Sequence, residues 1–206
     1  MAYLVKEIFY TLQGEGFHSG RPAVFCRFSN CNLWDGTEEG REAAICKFCD
    51  TDFVGGTEHR AAESLAEAVR STWRGLSENR FVVLTGGEPL LQVDEALIDA
   101  LHAQGFEIAM ETNGTVGKRK VAGKLDWLCV SPKAATRLKL TSGNELKLVY
   151  PQVENSPEQF EGLDFQHFYL QPCDGADGST EAAIAYCLNH PRWNLSLQTH
   201  KIIGID

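Results

Sequence analysis

The sequence predicts an α/β fold, a partial and open β/α barrel of about six parallel strands with few helices, and three observations predict it. Apolar runs of strand length alternate with segments of helical spacing, the order that builds a parallel sheet. Polar segments punctuated by glycine or proline stand where these strands end: Gly86-Gly87-Glu88-Pro89, Glu111-Thr112-Asn113-Gly114, Ser131-Pro132-Lys133 and Gln171-Pro172-Cys173-Asp174. In β/α barrels that end of the strands carries the chemistry. Finally, six or seven strands with some connections too short for a helix fall short of a closed eightfold barrel. Residues 1–206 read as a single domain without repeats, low-complexity tracts or long linkers.

In chain order, residues 3–10 form the first expected strand. They run into Thr11-Leu12-Gln13-Gly14-Glu15-Gly16, either a place of close backbone approach or an ordinary glycine-rich turn. Residues 23–29 form a second strand. Alternation puts Val24, Cys26 and Phe28 on one face and Phe25, Arg27 and Ser29 on the other. Cys26 therefore reads as a packed thiol, and Arg27 as an anion binder or the partner of a structural carboxylate. The spacing of Ala61, Leu65, Ala68 or Val69, and Trp73 predicts a helix over 57–74, and Val93, Leu97, Ile98 and Leu101 a second one ended by Gln104-Gly105. Strands are expected at 80–85, 106–112, 126–130, 145–150 and 167–170. Ser179-Thr180-Glu181 is expected to cap a helix running to about His190 with Ala183, Ile184 and Cys187 on its apolar side, and a last strand follows over 194–203. The run Lys118-Arg119-Lys120 with Lys124 reads as a solvated loop.

Composition excludes several classes. A net charge of −9 argues against a nucleic-acid surface, which would carry a basic stripe. No stretch has the length of a membrane span, and no apolar leader opens the chain. Seven cysteines without a secretion signal are expected as thiols or ligands, which fits a reducing, cytoplasmic compartment.

Cys31, Cys46 and Cys49, in a C-x14-C-x2-C pattern within a loop over 31–51, are the chemical centre of the sequence. Structural zinc takes four N/S ligands, and an electron-transfer iron–sulfur cube is usually held by four cysteines. Three thiolates around a four-iron cube leave one iron open to a substrate or cofactor. Zinc is the rival occupant, with Cys26, Cys173, His18 or His59 as a possible fourth ligand. A thioredoxin-like pair would open a helix in a βαβ unit, whereas this C-x2-C follows a Gly/Glu-rich loop.

Together, the three-cysteine loop, Thr85-Gly86-Gly87-Glu88-Pro89 and Ser131-Pro132-Lys133 resemble the radical S-adenosylmethionine (SAM) enzymes. The spacing departs from the superfamily's common C-x3-C-x2-C. Within the superfamily, the chain resembles the 7-carboxy-7-deazaguanine synthases of queuosine biosynthesis nearly end to end. That resemblance rests on Gln13-Gly14-Glu15-Gly16, Arg27, Cys49-Asp50-Thr51, Glu111-Thr112-Asn113-Gly114, Gln171-Pro172-Cys173-Asp174 and Ser196-Leu197-Gln198-Thr199-His200-Lys201. Some members of that family carry the longer cysteine spacing.

The resemblance implies a lyase that converts 6-carboxy-5,6,7,8-tetrahydropterin to 7-carboxy-7-deazaguanine with loss of ammonia, through a 5′-deoxyadenosyl radical and ring contraction. It implies Cys31, Cys46 and Cys49 as ligands of a [4Fe-4S] cluster and Thr51 as a ligand of Mg²⁺, although Thr51 also suits a plain loop turn. For SAM it implies Phe48, Cys49, Asp50, Gly87, Ser131, Pro132, Lys133, Gln171, Pro172, Cys173 and Asp174. For the pterin it implies Leu12, Gln13, Gly14, Glu15, Arg27, Thr85, Gln198 and His200. Glu88 is left between a chemical and a strand-fixing role, and His200 between substrate contact and an ordinary histidine. A homodimer and an electron donor such as a flavodoxin are implied as well. Two rivals stand beside this reading. A glycyl-radical activating enzyme would need a large protein partner and is disfavoured by the segments at 13–16 and 198–201. A non-catalytic zinc module leaves Gly-Gly-Glu-Pro unexplained.

Overall fold

The computed structural model describes residues 2–205. The single domain expected over 1–206 thus includes two residues, Met1 and Asp206, that lie outside the described ones. In chain order the strands are β1 (Tyr3–Leu12), β2 (Pro22–Phe28), β3 (Thr57–His59), β4 (Phe81–Gly86), β5 (Glu107–Thr112), β6 (Trp127–Val130), β7 (Ser142–Tyr150), β8 (Asp164–Pro172) and β9 (Trp193–Leu195). The helices are α1 (Glu38–Arg41), α2 (Ala62–Thr72), α3 (Glu95–Ala103), α4 (Arg119–Ala122), α5 (Ser179–Asn189) and α6 (Thr199–Ile203). Among the described residues the strands form one sheet in the order β3-β1-β2-β4-β5-β6-β7-β8-β9. From β2 onward every pairing is parallel, while β1 runs antiparallel to both β2 and β3. The parallel part is the expected open barrel; the antiparallel pair at one edge makes the sheet mixed and larger than expected. No helix among the described residues is long and apolar enough to cross a membrane.

Alternation along the strands separates two faces. Val24, Cys26 and Phe28, with Val82 and Leu84, Ile108 and Met110, and Leu146 and Leu148, form the main core under α2, α3 and α5. The helices present complementary stripes, Leu65, Ala66 and Val69 on α2 and Leu97, Ile98 and Leu101 on α3. Asp94 caps α3 by accepting from the Leu97 N–H at 3.1 Å and also accepts from the Tyr3 hydroxyl at 2.7 Å, tying the helix start to β1. On the other face, Ala23, Phe81, Val83 and Ala109 form a small apolar floor with Phe25 and Trp127 beside it. Toward the C-terminal strand ends this face becomes polar, with Arg27, Thr85, Glu111 and Lys147 lining a cavity. The apolar floor and polar upper wall give the inner face a direction, and the site sits at its polar end.

Several elements differ from expectation, each for a local reason. The segment read as a helix over 57–74 begins as β3, because Thr57, Glu58 and His59 pair with Val5, Leu4 and Tyr3; α2 starts only at Ala62. The basic run near 118 contains α4 rather than loop alone. Lys118 donates to the Val93 carbonyl at 3.0 Å, and Lys124 pairs with Asp99 at 2.9 Å and Glu95 at 3.3 Å. The last strand stops at Leu195. Beyond it the Ser196 N–H bonds the Leu170 carbonyl, and the chain then turns into α6 instead of extending the sheet. On α5, Ala183 is buried and Cys187 packs against the core, but Ile184 is exposed. Ser179 lies inside the helix, Gly178 occupies the cap position, and the Ser179 hydroxyl donates to the Cys173 carbonyl at 2.9 Å.

Leu84 is fully buried between the sheet and the helices, whereas Leu188 is 79% exposed on α5. Leu84→Ala should therefore cost about 2–5 kcal/mol of folding stability in urea titrations, and Leu188→Ala no more than about 0.5 kcal/mol. Similar midpoints for the two variants would contradict this assignment of the core.

Candidate active site

The C-terminal ends of the parallel strands surround a cavity of about 380 Å³. Of the residues expected to bind cofactor, substrate or metal, all but Pro132 and Cys173 line it. The segment 11–15 contributes Leu12, Gln13, Gly14 and Glu15, and the cysteine loop contributes Cys31, Cys46, Phe48, Cys49, Asp50 and Thr51. Arg27 comes from β2, Thr85 and Gly87 from the end of β4, Ser131 and Lys133 from beyond β6, Gln171, Pro172 and Asp174 from the end of β8, and Gln198 and His200 from the C-terminal segment. The Pro132 carbonyl instead accepts from the Asn155 amide at 3.4 Å, and the Cys173 thiol points to the Asp174 carbonyl at 3.9 Å.

The cysteine loop is fixed against the end of β4. Gly86 has φ +129°, and a Cβ there would overlap the Phe28 backbone; one on Gly87 would overlap the Asn30 carbonyl. Across this contact Gly87 N–H bonds the Phe28 carbonyl at 3.0 Å and Glu88 N–H the Asn30 carbonyl at 2.9 Å. The close approach these glycines permit is thus to the chain's own backbone just before Cys31. The buried Glu88 carboxylate accepts from Leu90 N–H at 3.0 Å, Thr112 hydroxyl at 2.7 Å and Asn113 N–H at 2.8 Å, so it clamps two strand ends together. Burial raises its pKa, and these donors oppose the rise.

All three thiols are free and line the cavity. The Cys49 thiol is held down to about 6, first by a hydrogen bond with Cys46 and further by Thr51, whose N–H and hydroxyl both donate to it. Nearby Lys133 donates to the Ser131 carbonyl at 2.9 Å and hydroxyl at 2.7 Å, and burial lowers its pKa. Among the described residues, no three His, Cys, Asp or Glu side chains converge as ligands of one ion. The candidate fourth zinc ligands lie elsewhere. Cys26 is buried on the helix side, the His18 ring packs edge-on against Trp127 with centroids 4.5 Å apart, His59 is on β3, and Cys173 is outside the cavity. Cys46 and Cys49 are hydrogen-bonded to each other, and Cys31 lines the same cavity.

Opposite the cysteines, the wall carries a buried ion network. Lys147 forms salt bridges to Glu15 and, at 3.2 Å, to Glu111. Gln13 donates to Glu111 at 2.9 Å, and Gln198 donates to Glu15 at 2.9 Å and to Asp50 at 3.4 Å. Burial raises the Glu15 carboxyl, but Lys147 and Gln198 outweigh it and the net shift is downward. Glu145, one inward position earlier on β7, accepts from Phe17 N–H at 3.2 Å and Trp127 indole at 3.3 Å, and burial raises its pKa. Arg27 lines the cavity, and its Nε donates to Glu7 at 2.7 Å, the pairing with a structural carboxylate that is one of its two readings. The C-terminal segment closes the rim. Gly14 carbonyl accepts from Thr199 N–H at 2.9 Å and hydroxyl at 2.8 Å, the His200 ring fills the space a Gly14 side chain would need, and Lys201 reaches Asp50 and Asp174, both at 2.6 Å.

Lys147, Glu111 and Lys201 were not among the expected contacts. Lys147 left one signal: the strand run Glu145-Leu146-Lys147-Leu148 places charges on the face opposite two leucines, unusual for an internal parallel strand. Glu111 and Lys201 stood in segments that carried the resemblance, but nothing local to them marked a contact to Lys147 or Asp50.

Comparison with known proteins agrees with this geometry. The family model described as "Radical SAM superfamily" matches residues 43–147, which makes the class of protein a radical SAM enzyme. The chain is 59% identical to the 7-carboxy-7-deazaguanine synthase of Bradyrhizobium diazoefficiens and 57% identical to that of Caulobacter vibrioides, each over the full length of both proteins. The crystal structure of QueE from Escherichia coli superposes with a TM-score of 0.70 at 27% identity, covering 97% of this chain and 95% of that one. The chain therefore belongs to the 7-carboxy-7-deazaguanine synthase family, and it is a lyase of the radical SAM class. Both rival readings, the activating enzyme and the zinc module, fall with this result.

Removing the Lys147 charge strands two carboxylates in a buried wall. Lys147→Met should destabilise the fold by about 3–5 kcal/mol in urea. The folded-state pKa of Glu15 is depressed, so its contribution to stability is full above the ordinary carboxylate range and lost as pH falls through the depressed value. Lys147→Met should flatten that acid limb; an unchanged pH profile of stability would argue against the network.

Proposed function

We propose that this cavity converts 6-carboxy-5,6,7,8-tetrahydropterin to 7-carboxy-7-deazaguanine with release of ammonia. The observation that carries the reading is one cavity with three thiols on one wall and the Gln13–Glu15–Glu111–Lys147 network with Arg27 on another. On this reading Cys31, Cys46 and Cys49 hold an iron–sulfur cluster of the [4Fe-4S] type. Phe48, Cys49, Asp50, Gly87, Ser131, Lys133, Gln171, Pro172 and Asp174 hold SAM. Pro132 and Cys173 act only through the loops they belong to, since neither lines the cavity. When bound, the cluster and SAM supply reversible abstraction of a hydrogen atom from carbon.

The chain's own work is placement and exclusion of water. Glu15, which Lys147 keeps ionised, and Glu111, paired with the same ammonium, are acceptors for the N–H edge of a reduced pterin, and Gln13 has both a donor and an acceptor for that edge. Arg27, oriented through its bond to Glu7, is the partner for the substrate carboxylate. Leu12, Gly14 and Thr85 border the same space, and Gln198 and His200 cover it from the C-terminal segment. Thr51 is the proposed protein ligand of Mg²⁺, an ion that keeps several waters and accepts substrate oxygens. Its hydroxyl donates to Cys49, so it would turn from that bond to bind the ion. The whole chain acts as one cytoplasmic domain, works as a homodimer and receives its electron from a donor such as a flavodoxin.

Anaerobically reconstituted protein, given the pterin, SAM, Mg²⁺ and a reductant, should form the deazaguanine carboxylate without net consumption of SAM. Stoichiometric consumption of SAM without that product would reject the proposal. Arg27→Ala should raise the KM for the pterin about 10–100-fold, the scale of a charge-assisted hydrogen bond, and leave the iron content unchanged. An unaltered KM would remove Arg27 from carboxylate recognition.

A further inference from the structure

The long spacer between Cys31 and Cys46 is a folded clasp. Asp35 accepts from the Thr37 N–H and hydroxyl, each at 2.9 Å, and the Thr37 hydroxyl caps α1 by accepting from Gly40 N–H at 3.0 Å. Trp34, 8% exposed, packs edge-on against Phe53 with ring centroids 5.4 Å apart, and its indole donates to the Thr37 carbonyl at 2.9 Å. Ile45 N–H at 3.0 Å and Cys46 N–H at 3.3 Å both bond the Leu33 carbonyl and close the base of the clasp.

One side chain joins this clasp to the C-x2-C turn. The Arg41 guanidinium lies 4.1 Å above the Trp34 ring. Its Nε and one terminal nitrogen grip the Glu38 carboxylate at 2.8 and 2.6 Å. The other terminal nitrogen donates to the Lys47 carbonyl at 3.0 Å and the Cys49 carbonyl at 3.1 Å. Every guanidinium nitrogen is engaged, and two of the bonds end on the backbone of the turn that carries Cys46 and Cys49. A planar fork stacked on an aromatic ring fits this arrangement, and a lysine cannot reproduce it.

We propose that Arg41 is a positioning residue for the iron–sulfur cluster: it locks the C-x2-C turn and places a positive charge beside the cluster, retaining the metal and raising its reduction potential. The inference rests on the reading of Cys46 and Cys49 as cluster ligands. Charge and hydrogen bonding around a cluster are among the terms that set its potential, and partners that orient metal ligands control metal retention.

The test uses the full chain, reconstituted anaerobically with iron and sulfide. It reads iron per chain, the rate at which a chelator strips iron, and the midpoint potential from an EPR-monitored titration. Arg41→Gln removes both fork and charge, and Arg41→Lys keeps the charge alone. Arg60→Gln, at an exposed arginine paired with Glu58, is the control and should match the parent. Arg41→Gln should lose iron about tenfold faster, the scale of one lost charge-assisted hydrogen bond, with a more negative midpoint. Arg41→Lys should regain the midpoint without regaining the retention. Parental retention and midpoint in Arg41→Gln would overturn the inference while leaving the ligand reading intact. If Arg41→Gln does not fold by circular dichroism, Arg41→Lys decides: faster iron loss supports the lock, and parental retention overturns it. A parent chain that takes up zinc and no iron would overturn the ligand reading and the inference with it.

Discussion

The buried ammonium of Lys147, held between Glu15 and Glu111, is the interaction on which the rest of the cavity depends. A cation and two carboxylates on the inner face of a sheet are tolerated only when each is paired and hydrogen-bonded. Here the pairing comes from three separate parts of the chain: the turn after β1, the end of β5 and the middle of β7. Gln13 and Gln198 satisfy the remaining carboxylate oxygens, which draws the first and last segments of the chain onto the same wall. The network therefore fixes the shape of the cavity and makes one side of it polar.

The opposite wall is organised by backbone contact instead of charge. Gly86 and Gly87 let the end of β4 lie against Phe28 and Asn30, and Glu88 ties that crossing to the end of β5. The first cysteine follows directly from this crossing. The other two sit on a turn gripped from outside by Arg41. Glycine contact and guanidinium fork thus do the same job from two sides, holding three thiols around a space while leaving their sulfurs unencumbered by disulfides. Toward the other end of the sheet the same face is apolar, with Ala23, Phe81, Val83 and Ala109 packed together beside Phe25.

The C-terminal segment links the walls. Thr199 bonds Gly14, Gln198 reaches Glu15 and Asp50, and Lys201 joins Asp50 to Asp174. It forms a helix rather than a ninth strand's extension because its polar groups find partners over the cavity mouth and none along the sheet edge. That is also why strand-like residues at 201–203 misled the pattern: Ile202 and Ile203 are exposed, and no neighbouring strand satisfies their backbone.

By itself the sequence determined the periodic part of this protein: which runs are strands, which face of each is apolar, and that chemistry gathers at the strand ends. It also carried the family, through motifs whose residue types and spacing are local. Local pattern could place Arg27 opposite Cys26 because a strand alternates by geometry alone. It could not place Lys147 against Glu15 or Arg41 against the Cys49 carbonyl, because those pairings depend on where distant segments cross. Only the tertiary structure decided that β3 pairs with β1, that Glu88 is a clamp, and that Pro132 and Cys173 stay out of the cavity lining. The physical reason is the same in each case. Periodicity reports which side of an element is buried, whereas the partner of a charge or a backbone amide is set by the packing of the whole sheet.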